Sequence, residues 1–193
     1  MLANFTQAPF WVALPVFVKR ARNMPPWYLG ALQGSLALGS IVGALSLNSA
    51  QKFWRGRSFL VSCVALQGLG FLMMAFSPGL LLPMGMLFGV GFGSSMSNIQ
   101  FDAQAVLVIP DSYRARYNSI VDFLCLGLYP VGMAVGSLSI AQLGLSTTWV
   151  IMGLSGILQT PLIFLVPKLK EFLEVPAHKA GGFLKKHYPW VTL

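Results

Sequence analysis

Charge is what this sequence has least of. Asp, Glu, Lys and Arg make up 9% of its 193 residues, where soluble domains carry roughly 25%. So few charges cannot clothe a water-facing surface. The shortage excludes a soluble enzyme, a nucleic-acid module and a disordered tail. Histidine occurs twice, at His178 and His187, so no histidine proton relay exists in the apolar body. The two cysteines, Cys63 and Cys125, do not have the spacing of a metal motif. They read as small apolar packing residues. No His/Asp/Ser constellation, metal-ligand spacing or phosphate-binding Gly-Lys loop is present, which argues against catalysis and against a bound cofactor.

What is present is apolar sequence, in long uninterrupted blocks. No charged residue occurs in 1–18, 23–51, 58–101 or 123–167, windows of 18, 29, 44 and 45 residues. One membrane crossing takes about 20 apolar residues. The first two windows hold one helix each and the last two hold two each, which makes six. Ser77-Pro78-Gly79 and Gln142-Leu143-Gly144-Leu145-Ser146-Thr147-Thr148 carry the turn chemistry that splits the long windows. The predicted helices lie near 2–18, 27–50, 58–77, 80–108, 117–141 and 146–166. The fold class is an all-α membrane protein of six transmembrane helices over 1–167, followed by a basic tail over 168–193.

Orientation follows from the loop cations. The loops after the second, fourth and sixth helices, with the tail, carry ten Lys and Arg, and the opposite side carries Lys19, Arg20 and Arg22. This places both termini in the cytoplasm of a plasma-membrane protein, although the basic loop after the first helix runs against the rule. The first helix lacks a preceding basic region and a small-residue cleavage site, so it reads as a mature helix rather than a signal peptide. The net charge of +8 fits loops facing an anionic bilayer and not nucleic acid. The tail interleaves Lys168, Lys170, Lys185 and Lys186 with Phe and Leu. That suits a segment lying on lipid as well as a solubilising end.

Glycines recur every four residues at Gly30/Gly34, Gly39/Gly43, Gly85/Gly89/Gly93 and Gly132/Gly136. This period stacks small residues on one helix face and lets backbones approach closely. Prolines 9, 15, 83, 130 and 161 interrupt four helices; each removes a backbone donor and tends to bend its helix.

Polar side chains in a membrane usually face the bundle interior or a wet cavity. The candidates are Asn4, Thr6, Gln7, Gln33, Gln67, Asn98, Gln100, Asp102, Gln104, Asn118 and Asp122. Asp102 lies roughly 12 Å before the end of the fourth helix and Asp122 roughly 9 Å into the fifth, at about 1.5 Å per residue. Two readings stay open for this pair. They are coupling or solute-contacting carboxylates, or they form structural ion pairs with Arg114 or Arg116.

Three stretches resemble the major facilitator superfamily of transporters, in the branch of bacterial efflux permeases. They are Leu14-Pro15-Val16-Phe17-Val18 with Gly30 to Leu45; Arg55-Gly56-Arg57; and Pro110 to Ser119 with Gly127 to Gly132. They are similar to the seventh and eighth helices, the loop after the eighth, and the tenth-to-eleventh junction of that family. Phe53 stands where the family's loop motif carries an acid, and Ala115 where its junction carries Gly. Members have two six-helix halves around a central cavity, and six crossings make one half.

The resemblance implies a half-size or C-terminal-half permease exporting a small organic or amphipathic solute by alternating access. Its partners would be the lipid bilayer, the solute, protons as coupling ion, and a second six-helix half. Gln7, Gln33, Asn98, Asp102 and Asp122 would form the substrate pathway and coupling group. Arg55, Arg57, Arg114 and Arg116 would form the cytoplasmic gate. The competing reading is a truncated or accessory membrane subunit that transports nothing and binds other membrane proteins.

Overall fold

Proline decides where the first apolar stretch bends. In the computed structural model, which describes residues 2–21, 23–54, 56–79, 81–176, 183 and 187, the expected single helix over 2–18 is two short helices and a turn. α1 is Leu2–Gln7, α2 is Phe10–Val16, and a π-helical turn follows at Phe17–Ala21. Pro9 has no N–H for the Phe5 carbonyl, which interrupts the ladder between α1 and α2. Pro15 sits inside α2, directly before the π-helical segment. Asn23, at φ 48, ends the stretch, and the Met24 N–H closes onto the Val18 carbonyl at 3.0 Å. Asparagine tolerates this left-handed geometry better than most side chains.

The remaining helices are α3 (Trp27–Phe53), α4 (Gly56–Met74), α5 (Leu81–Val108), α6 (Asp111–Leu126), α7 (Tyr129–Leu143), α8 (Leu145–Leu165) and α9 (Leu169–Glu174). No strand occurs among the described residues. Among the described residues, four helical stretches are long and apolar enough to cross a membrane: Trp27–Phe53, Gly56–Met74, Asp111–Leu143 and Leu145–Leu165. The third runs through α6 and α7 across their junction. α5 has the length for a crossing, 28 residues, but its glycines, serines and amides dilute its hydropathy.

The fifth predicted helix differs at both ends and in its middle. It begins at Asp111 instead of 117, because Pro110 is a sound helix opener and the polar turn Asp111–Arg114 costs nothing at a helix end. It then breaks at Gly127–Leu128. Pro130 stands at the start of α7 and cannot donate to the Leu126 carbonyl. The expected seven-residue turn before the last helix shrinks to Gly144, whose φ of 87 is open to glycine and strained for other residues.

Close backbone approach at some of the glycines sets the packing. A Cβ at Gly39 or Gly43 would strike the carbonyls of Phe88 or Phe92, and one at Gly91 would strike that of Leu36. α3 and α5 therefore meet backbone to backbone. The Ser35 hydroxyl donates to the Met84 carbonyl at 2.6 Å across the same seam. Gly68 on α4 meets Gly153 and Gly156 on α8 in the same way, and Gly93 on α5 meets the Cys63 carbonyl on α4. By contrast, a Cβ at Gly30, Gly34 or Gly85 would meet nothing within 4 Å.

The break in the first helix is seated by α7. A Cβ at Gly132 would lie 2.6 Å from the Phe5 carbonyl, the one Pro9 leaves without a donor, and Gly136 packs on Pro9 itself. Inside the bundle Phe10, Phe17, Phe71 and the fully buried Trp149 form an aromatic cluster with centroids 5.7–6.3 Å apart, a spacing favourable for tilted ring pairs. α6 stands apart: none of its residues is buried.

The described part of the tail is docked at the end where α4 begins and α5 and α8 finish. Leu169 and Leu173 of α9 bury against Leu60, and Phe172 packs between Phe101 and Phe183.

Candidate functional site

Amide and hydroxyl side chains on four helices form a polar layer inside an otherwise apolar bundle. Gln159 Nε2 on α8 donates to Thr6 Oγ1 on α1 at 2.9 Å. Next to Thr6, Gln7 Nε2 donates to Gln67 Oε1 on α4 at 3.4 Å. Gln67 Nε2 lies 3.2 Å from the Cys63 carbonyl and 3.4 Å from Ser97 Oγ on α5. Gln67, Ser97 and Gln159 are buried. Gln7 also lines a cavity of about 130 Å³ with Phe10, Trp11, Leu36, Ser40 and Tyr129. The break at Pro9 brings the ends of α1 and α2 to this layer, so a discontinuous helix and a buried polar chain coincide.

A second feature lies between α5 and α6. A cleft of about 340 Å³ is lined by Asp102 and Val106 on one side and Tyr117, Asn118, Val121 and Asp122 on the other, with Arg114 also on its wall. Asp102, Asn118 and Asp122 are exposed. Asn98, one turn before Asp102, is exposed too and donates to Ser94 Oγ at 3.4 Å. Gln33 is exposed on α3, away from these lining residues. Of the five expected pathway residues, the cleft gathers Asp102 and Asp122, Gln7 belongs to the polar layer, and Asn98 and Gln33 line neither cavity.

Two of the arginines, Arg57 and Arg114, hold helix ends. Arg114 donates to the carbonyls of Val106 at 2.6 Å and Ile109 at 3.2 Å, closing the C-terminal end of α5. Its ion pair is with Asp111 at 2.6 Å. Among the described residues no Lys or Arg pairs with Asp102 or Asp122, so the anticipated ion pair to Arg114 or Arg116 is replaced by the local Asp111–Arg114 contact, three residues apart on one helix. Arg57 stacks 4.5 Å from the centre of the Phe164 ring and reaches the Phe164 carbonyl at 3.4 Å, joining the start of α4 to the end of α8. Arg116 is exposed and has no ion-pair partner among the described residues. Arg55 lies outside the described residues. Beside it, Gly56 at φ 74 is covered by the Glu174 carboxylate of α9. That places a negative charge at the N-terminus of α4, where the helix dipole favours one.

Gln159 and Ser97 are not among the residues that sequence reasoning picks out. The signal for Gln159 is there, since it is the one amide in the apolar run 145–166. Ser97 carries no such signal, because serines are common in membrane helices as packing residues. Among the described residues no group of three or more His, Cys, Asp or Glu could hold a metal. No family model, curated protein or solved structure matches this chain.

Proposed function

We propose that this chain is one six-helix half of a permease of the major facilitator type, exporting a small organic or amphipathic solute across the plasma membrane by alternating access. The broken first helix and α5 join the four strongly apolar stretches to make six crossings. A second six-helix half, either another copy or a different chain, supplies the opposite wall.

The observation that carries this reading is the exposure of Asp102, Asn118 and Asp122 on the cleft between α5 and α6. A carboxylate facing hydrocarbon costs about 2.5–3.5 kcal/mol at a helix centre on insertion scales. A face bearing two of them is stable in a bilayer when water or another protein covers it. A wet cleft walled by a partner half satisfies both carboxylates and gives a solute a polar route. The discontinuous first helix, with the Gln7–Gln67 contact at its break, is the second support, since transporters place broken helices beside their binding sites.

Reconstitution tests the proposal. The chain is placed in liposomes alone and with candidate six-helix partners, and efflux of a panel of amphipathic solutes is followed. Flux that needs the partner and collapses in Asp102→Asn is the expected result. Flux indifferent to Asp102→Asn removes the coupling role. A chain found as a single copy on an unrelated membrane complex, with no flux under any pairing, overturns the transport reading in favour of an accessory subunit.

A further inference from the structure

A larger cavity than the cleft between α5 and α6 is also present. It lies at the basic end of the bundle, where the α5–α6 junction faces the α8–α9 junction, and measures about 640 Å³. That falls within the range of roughly 300–1,000 Å³ usual for small-molecule sites. Its walls are apolar, with Phe101, Ile109, Ile120 and Phe172 among them, and its cations are Arg116 and Lys168. Phe101 and Ile120 are themselves exposed, so the cavity opens at the surface of the bundle, beside the cleft whose lining shares Phe101, Ile109 and Tyr117.

We propose that this cavity holds one anionic phospholipid of the surrounding bilayer, with an acyl chain between the aromatic walls and the phosphate on Arg116 and Lys168. Two observations and a general rule converge on that occupant. First, the depth is right. Arg116 lies in the second turn of α6 and Lys168 follows closely on the end of α8, so both cations stand near the ends of candidate membrane spans, where headgroups lie if these helices cross a bilayer. Second, the charges are complementary. Lys168 is held by Glu171 at 3.0 Å, and Glu171 also takes His187 at 3.1 Å. Asp111 is taken by Arg114. Arg116 is thus the cation of this cavity left without an acidic partner among the described residues. Third, basic pockets between transmembrane helices select anionic headgroups over zwitterionic ones, because the choline of a zwitterionic lipid brings a like charge to the same rim. Arg116 is the principal contact, since the phosphate competes with Glu171 at Lys168. The site needs a bilayer but not transport, so its failure leaves the translocation reading standing.

Photocrosslinking tests it with the full chain in phosphatidylcholine vesicles containing phosphatidylglycerol that carries a diazirine on one acyl chain. Irradiation followed by peptide mapping is expected to label 101–120 and 166–172 above the lipid-facing surface of α3. Unlabelled phosphatidylglycerol competes, and extra phosphatidylcholine or millimolar inorganic phosphate does not. Arg116→Gln lowers the labelling about fivefold, as expected for one cation at a membrane surface; Arg116→Lys retains most of it, and Arg20→Gln at the opposite end leaves it unchanged. Equal competition by phosphatidylcholine would reduce the cavity to ordinary lipid contact. Displacement by inorganic phosphate would make it an anion site without an acyl chain. Either result, or labelling indifferent to Arg116→Gln, overturns the proposal.

Discussion

The side-chain amide of Gln159 donates to the hydroxyl of Thr6 across 2.9 Å, tying an unbroken helix to a fragment of a broken one. Thr6 in turn donates to its own Ala3 carbonyl at 3.1 Å, so the last full turn of α1 is anchored from both sides. α1 has six residues, too few to be a stable helix alone. Its place in the bundle depends on contacts of this kind and on the glycine face of α7.

That dependence is measurable as a coupling energy. Interhelical hydrogen bonds in membranes average about 0.6 kcal/mol and reach about 1.7 kcal/mol. Gln159→Leu and Thr6→Val, alone and combined, are expected to show a coupling in this range by reversible unfolding in detergent. Strictly additive effects would mean the contact contributes nothing to holding α1.

The glycines divide into two groups that the sequence pattern treats alike. Gly39→Ala forces a methyl against the Phe88 carbonyl and Gly43→Ala forces one against that of Phe92. Overpacking of this kind costs about 1–3 kcal/mol. Gly30→Ala and Gly34→Ala meet open space and gain helix propensity, so they are expected to be neutral or slightly stabilising. Thermal midpoints of the four variants in one detergent decide the matter; a loss at Gly30 equal to that at Gly39 would contradict the packing.

Water in the cleft between α5 and α6 is a separate expectation. With Cys63 and Cys125 replaced by Ala, single cysteines at Asn118 and Asp122 are expected to react with a membrane-impermeant maleimide in vesicles. Cysteines at Leu38 and Leu138, exposed apolar positions of α3 and α7, are expected to stay unreacted. Protection of position 122 to the level of position 138 would mean the carboxylate is covered by something dry.

Arg57 and Arg116 are expected to part company. Arg57→Gln loses the stacking on Phe164 and the bond to its carbonyl, and a cation–π contact at a partly exposed site is worth about 0.5–1 kcal/mol. Arg116 has no ion-pair partner among the described residues, so Arg116→Gln leaves the unfolding midpoint in lipid-free detergent where it was. A shift at Arg116 as large as that at Arg57 would contradict the assignment of Arg57 as the helix-end clamp.

The sequence made the helical body legible because lipid is a harsh filter: charge-free windows and the turn at Ser77-Pro78-Gly79 placed α3, α4, α5 and α8 within a few residues. It misplaced the start of α6, since counting apolar residues discards a polar opening turn such as Asp111–Arg114. It did not show that Pro9 breaks its helix while Pro161 leaves α8 continuous. The difference lies in the neighbour, because Gly132 and Gly136 make room for the break and belong to a helix more than a hundred residues later. Of the candidate site, the polar residue types were readable and their grouping was not. Gln7 meets Gln67 because two helices cross there, and Asp111 takes Arg114 because it is nearer along the chain than Asp102 or Asp122.

α6 contributes no side chain to the interior, yet it carries half of the cleft's lining. Apart from Arg114, which closes the end of α5, its residues are thereby released from the problem of folding, and their identities answer to whatever touches the outer face. A change there leaves the bundle standing and alters its neighbour instead, so selection can retune this helix at a pace the glycine seams of α3 and α5 could never survive.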